Sequence, residues 1–149
     1  MFTRILVALD GSDHAQHALS VAINIATKYE AHVQLLSVVH PNTFMSSPYP
    51  PTSATIQLME QAFMAQRQHQ QTILSSAFDE LRQHHPQLEC SMAIKDGRPA
   101  DVVVQTAIDD HVDLIVLGSR GLGGIKQLFL GSVSDRVADE ARCPVLIVK

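Results

Sequence analysis

Ile5-Leu6-Val7-Ala8-Leu9-Asp10-Gly11-Ser12 stands near the start of the chain, and its reading decides the class of the fold. Five apolar residues in a row, without the alternation of a half-exposed strand, suit a strand covered on both faces, as in a parallel sheet. Asp10-Gly11-Ser12 then stops the strand. Ser12 is placed to cap a helix, with Asp13 beside its positive end. Ala15, Ala18, Leu19, Ala22, Ile25, Ala26 and Tyr29 follow at three- and four-residue spacing, one apolar helical stripe.

The same strand-then-helix unit repeats outward from this start. Residues 33–39 form a second apolar strand, and residues 41–53, rich in proline and serine, predict a mobile loop without regular structure. A long helix runs from near Ala54 to His84, with Ile56, Met59, Phe63, Ile73 or Leu74, Ala77 and Leu81 as its stripe. Its interruption around residues 67–70 predicts that part of the helix projects beyond the sheet. Residues 88–94 predict a third strand. Pro99 suits the first position of a helix that buries Val103, Val104, Ala107 and Ile108. Residues 113–117 predict a fourth strand, a helix follows over 133–141, and residues 145–148 end the chain as a fifth. Strict alternation implies an α/β fold: one open, five-stranded parallel sheet with right-handed crossovers and helices on both faces. Residues 1–149 read as one domain without internal repeats.

Composition bounds the function. At 149 residues and 46% hydrophobic content the chain can build a substantial core. A net charge of −4, with its 11 basic residues scattered singly, argues against nucleic acid and anionic membranes as partners. The five-residue apolar run at the start is too short for a signal-peptide core, and no segment approaches about 18 apolar residues. Cys90 and Cys143 have no metal spacing. A cytoplasmic protein with reduced thiols is the expectation.

In open parallel sheets, ligands bind beyond the carboxyl ends of the strands where the strand order reverses. Two connections have a suitable composition: Asp10-Gly11-Ser12, and Gly118-Ser-Arg-Gly-Leu-Gly-Gly124 running on to Gly131-Ser132-Val133-Ser134. If the first and fourth strands are neighbours, both loops face one crevice. Gly118 and Gly121 would let backbone approach a ligand. Gly131 and Ser132 lie where a helix begins, and free N–H groups there attract an anion. Ser132 and Ser134 add hydroxyls, and Arg120 adds charge. Composition alone leaves open a flexible turn with Ser132 as an ordinary cap.

Gly118-x2-Gly121-x9-Gly131-Ser132 resembles the nucleotide-binding signature of the universal stress protein family. So do the opening residues 5–12, the Gly97-Arg-Pro99 turn, residues 113–119 and the closing Cys143-Pro-Val-Leu-Ile-Val148. The resemblance covers essentially the whole chain, residues 41–53 least, and implies a Rossmann-like fold of the adenine nucleotide α-hydrolase-like kind. It further implies that Asp10 and Ala8 border the nucleotide, Val38 meets the adenine, Leu117 and Gly118 lie by the ribose, and Arg120 and Gly121 lie beside the phosphates. Gly131, Ser132, Val133 and Ser134 would hold the phosphates. With all these positions present, the chain resembles the ATP-binding branch, in which Mg2+ or Mn2+ can accompany the phosphates. A homodimer through residues 145–148 and a stress-signalling role are implied as well.

Other signals are weaker. Gly121-Leu-Gly-Gly-Ile-Lys126 does not fit the GxxxxGK[ST] loop, and no dinucleotide fingerprint follows the first strand. His14 and His17 lie one turn apart without a third ligand at metal spacing. His84-His85 falls at a helix end, and His40, just past the second strand, is placed to border the ligand. Asp109-Asp110 and Asp139-Glu140 read as solvated faces, and Met45, Met59 and Met64 read as core filling. Two other functions stay open: a slow metal-dependent ATP hydrolase using Asp10, and a nucleotide-independent dimerisation module.

Overall fold

A computed structural model describes residues 1–41, 50–121 and 131–149. Nine elements alternate along it: β1 (Arg4–Ala8), α1 (Asp13–Tyr29), β2 (His32–Val39), α2 (Ser53–His84), β3 (Cys90–Asp96), α3 (Pro99–Asp109), β4 (Leu114–Gly118), α4 (Ser132–Glu140) and β5 (Val145–Val148). The strands form one parallel sheet in the order β3-β2-β1-β4-β5. The α/β fold read from the sequence is the one observed.

β1 is the central strand, and its composition follows from that place. Ile5, Leu6 and Val7 are all fully buried, because each face of the strand meets a helical layer. Ile5, Val7 and Leu9 pack with β2 residues Val33 and Leu35 under α1 and α2. Leu6 packs with Leu36 and Ile115 under α3 and α4 on the other face. Successive side chains on a strand point to opposite faces, so one apolar run serves two cores.

The helix ends follow local chemistry. Ser12 caps α1 by accepting from the Ala15 N–H at 3.2 Å, and Thr52 does the same for α2 through Thr55 N–H. The stripe of α1 is mostly alanine, with Ala15, Ala18, Ala22 and Ala26 all buried. Small side chains let the helix backbone come close to the sheet, which becomes important at Gly118.

Several boundaries differ from the sequence reading. Residues 42–49, most of the expected loop, lie outside the described residues, while Ser53 already belongs to α2. β3 starts at Cys90, not Leu88. Leu88 is buried but sits in a turn, its N–H bonded to the His85 carbonyl, so its apolarity marks a core contact rather than a strand. Lys95 and Asp96 are in the strand, since they pair with Val38 and Val39 at the sheet edge, where charge is tolerated. Ile56 and Met64 do not fill the core, being 45% and 65% exposed; Met45 lies outside the described residues. The sheet-facing part of α2 is its C-terminal half, with Leu74, Ala77 and Leu81 buried. The break in its stripe coincides with Gln70, which is nevertheless buried.

Candidate functional site

The chain leaves β1 for β2 and β3 on one side, then returns to place β4 and β5 on the other. The strand order therefore reverses between β1 and β4, which pair through Ile5↔Leu114 to Val7↔Val116. Helices on opposite faces leave a crevice at the carboxyl ends of such a pair. The turns after β1 and β4 both open there.

The first turn is held by its own side chains. Asp10 Oδ1 accepts from the Ser12 N–H at 2.9 Å and from the Ser12 hydroxyl at 2.6 Å. An aspartate bonding backbone two residues on is an Asx-turn. Gly11 completes it with φ of +86°, a conformation that L side chains rarely adopt.

The second turn lies against the first. The Ser12 hydroxyl also approaches the Arg120 carbonyl at 3.4 Å, and a Cβ on Gly121 would come within 2.6 Å of Asp10 Oδ2. Gly121 thus gives Asp10 its space. The missing Cβ of Gly118 has a different reason: it would lie 2.7 Å from the His14 carbonyl carbon and 2.9 Å from the Ala15 nitrogen. Gly118 is required by the docking of α1 on β4.

Ser119, which the sequence reading passed over, joins three parts of the site. Its N–H donates to the Val148 carbonyl at 2.7 Å, and its carbonyl accepts from the Gly131 N–H at 2.8 Å. The buried Ser134 hydroxyl shares its one proton between that same carbonyl at 3.1 Å and the Gly131 carbonyl at 2.9 Å. The Ser134 side chain therefore clasps the two ends of the glycine-rich segment together. α4 then starts at Ser132 with Gly131 as its cap and no side-chain capping bond. In any helix the first-turn N–H groups, here those of Ser132, Val133 and Ser134, precede the i−4 ladder, and the helix dipole adds positive potential there. Ser132 is exposed at this end and Val133 half-buried.

The remaining expected residues line the strand ends. Ala8, Val38 and Val133 are half-buried apolar residues against the α3/α4 core, which also contains the buried Leu117. Arg120 is half-buried next to Gly121. His40 is turned to the β3–α3 connection, where its Nδ1 donates to the Gly97 carbonyl at 3.1 Å. Among the described residues, no group of three or more His, Cys, Asp or Glu side chains is arranged to hold a metal ion. His17 Nδ1 lies 3.0 Å from the Lys149 carbonyl, and His84 Nδ1 lies 2.9 Å from the Glu80 carbonyl. Burial raises the Cys90 and Cys143 thiols above their ordinary values, with Asp113 reinforcing the effect at Cys143. Neither is a ready nucleophile at neutral pH. No described helix is long and apolar enough to cross a membrane.

Chemically, this crevice offers an apolar shelf, one acidic turn and an array of backbone N–H groups. That set suits a ligand with an apolar ring system at one end and an anionic group at the other.

Comparison with known proteins places the chain in a family and its fold among solved ones. Residues 1–149 match the model of the Universal stress protein family. The "Universal stress protein in QAH/OAS sulfhydrylase 3'region" of Thermus aquaticus is 37% identical over 153 residues, with 100% of each chain covered. Universal stress protein UspA from Lactobacillus plantarum superposes with a TM-score of 0.78 at 28% identity, covering 99% of this chain and 98% of that one. A universal stress protein family protein from Arabidopsis thaliana, solved with AMP bound, gives a TM-score of 0.65 at 25% identity over 99% of this chain and 91% of its own.

Proposed function

The chain belongs to the universal stress protein family, and from that premise we propose that it binds ATP at the β1–β4 crevice and acts as a nucleotide-responsive stress-signalling module. The observation that carries this reading is the convergence of Asp10, Gly121 and the start of α4 at the point where strand order reverses. The family relative with AMP bound supports an adenine nucleotide as the ligand class.

The residues fit such a ligand. A Cβ at Gly121 would fill space beside Asp10, and backbone N–H groups at a helix start bind phosphate oxygens by hydrogen bonds and dipole together. Ser132, Val133 and Ser134 would supply those N–H groups, and the Ser132 hydroxyl one more donor. The Gly131 N–H and Ser134 hydroxyl are committed to the clasp at Ser119, so their part is to shape the cradle. Ala8, Val38 and Leu117 would form the apolar shelf for the adenine side, with Gly118 beside the ribose. Arg120 would lie beside the phosphates, where Mg2+ or Mn2+ would bring further neutralising charge. The chain's own residues bind and orient the nucleotide. Two unpaired cysteines accord with a reducing, cytoplasmic setting.

The same proposal includes a homodimer through β5. Ile115 N–H donates to the Pro144 carbonyl and Ser119 N–H to the Val148 carbonyl. Even-numbered residues thus face β4, and Val145 and Ile147 turn their N–H and C=O groups to the open edge. An apolar edge strand with outward backbone groups suits pairing with a second copy.

The deciding experiment is calorimetric titration of ATP with magnesium into wild type and Gly121→Val. Wild type is expected to bind, and the valine, by displacing Asp10, to weaken binding at least about tenfold. Equal affinity in both proteins, or no binding by wild type, would overturn the proposal.

A further inference from the structure

The polar residue in the middle of α2 has no place in the nucleotide signature, yet it reaches the turn that presents Asp10. Gln70 is 7% exposed and Ser37, on β2, is fully buried. The Ser37 hydroxyl donates to the Leu9 carbonyl at 2.9 Å and to Gln70 Oε1 at 2.7 Å. A hydroxyl has one proton, and a half-turn of the Gln70 amide lets its NH2 donate to Ser37 while Ser37 donates to Leu9. The connection α2–β2–β1 is then fully satisfied.

Leu9 is where β1 leaves the sheet. Its N–H still donates to the Leu36 carbonyl at 2.8 Å, but the pairing register of β1 with β2 ends at Ala8↔Leu36. The Leu9 carbonyl is taken by a side chain instead of the next strand residue. One residue later the chain turns, and Asp10 is carried over the strand ends. Ile73, one turn along from Gln70, covers the same turn from outside: a Cβ on Gly11 would lie 2.7 Å from Ile73 Cδ1. Arg67, one turn before Gln70, forms an ion pair with Asp96 at the end of β3. The middle of α2 is therefore fastened to the carboxyl ends of β1, β2 and β3.

Buried polar groups in a core are costly unless satisfied, and an apolar pair would fill the same space without that risk. What the hydroxyl and amide add is a fixed position for one carbonyl. We propose that Ser37 and Gln70 are positioning residues of the nucleotide site, setting the Leu9–Ser12 turn and hence the place of Asp10. This inference rests on the nucleotide reading for its ligand, but not for its first readout.

The test uses Ser37→Ala, Gln70→Met and the double variant in the full chain. The first readout is hydrogen exchange of the Ser12 amide, whose proton is held by Asp10 Oδ1 at 2.9 Å. The second is ATP affinity with magnesium, measured well below the melting temperature. The double variant also removes the Gln70 amide that Ser37→Ala leaves unpaired, so it regains part of the lost stability, while the Leu9 carbonyl stays without its donor. Positioning predicts that its Ser12 amide still exchanges roughly fivefold faster than wild type, and that ATP binds roughly fivefold more weakly. A role in stability alone predicts that both readouts recover from Ser37→Ala to the double variant in step with the melting temperature, and that outcome overturns the inference. If wild type binds no ATP while Ser12 exchange still responds to Ser37→Ala, the positioning of Asp10 stands and the nucleotide reading falls.

Discussion

Replacing Gly118 by alanine tests how closely α1 is docked on the sheet. The new Cβ would sit 2.7 Å from the His14 carbonyl carbon, 2.9 Å from the Ala15 nitrogen and 2.9 Å from the His14 Cβ. Two of these three atoms are backbone, so no rotamer change relieves the contact. Ordinary carbon contact begins near 3.5 Å, which asks the first turn of α1 to retreat by roughly 0.8 Å. Overpacking of this kind costs about 1–3 kcal/mol, and the lower chain entropy of alanine returns about 0.4–1 kcal/mol. The net loss is about 1–2 kcal/mol, or roughly 3–8 °C in melting temperature for a chain of this size. Thermal unfolding followed by circular dichroism reads it directly. Gly121→Ala is the control, because among the described residues its Cβ would meet the Asp10 carboxylate, the far end of a side chain that can turn aside. That variant should keep its melting temperature and lose ATP affinity. A Gly118→Ala protein melting within about a degree of wild type would refute the claim that Gly118 serves the docking of α1.

Two further outcomes follow from the fold. The Ile147 N–H faces the open edge, so Ile147→Pro should leave the β4 ladder intact while blocking strand pairing between copies. Sedimentation at micromolar concentration should show wild type at twice the chain mass and the variant at the chain mass; a dimeric variant would exclude the β5 edge as the interface. Burial chiefly, with Arg4 adding and Glu89 opposing, holds the His32 imidazole below its usual 6.5. The unfolded chain then takes up that proton first, so the stability contributed by neutral His32 is complete above pH 6.5 and is lost as pH falls through the lowered native value. His32→Gln should flatten the decline in melting temperature between about pH 7.5 and pH 5; an unchanged decline would assign it to another group.

Much of this protein is legible along the chain because its signals are local. The apolar run of residues 5–9, the Ser12 cap, the alanine stripe of α1 and Pro99 at the start of α3 each act within a few residues, and each appears where local chemistry puts it. The alternation of such units implies a parallel sheet, and the glycine spacing includes Gly121, which lies beside Asp10. Periodicity is less informative where burial and strand pairing part company, as at Leu88, which is apolar and buried without being in β3.

Tertiary structure decided what depends on residues far apart in the chain. Only the sheet order makes β1 and β4 neighbours and brings two distant turns together. Gly118 reads along the chain as a glycine kept for a ligand, and only the fold shows that α1 occupies the place of its Cβ. The Ser134 hydroxyl looks like a phosphate donor until its bonds to Ser119 and Gly131 are traced. Gln70 reads as a gap in a helical stripe, because nothing near it in sequence announces Ser37 and, beyond it, the Leu9 carbonyl. A side chain's spacing tells which way it faces on its own element, while its function depends on what the rest of the fold has brought opposite it.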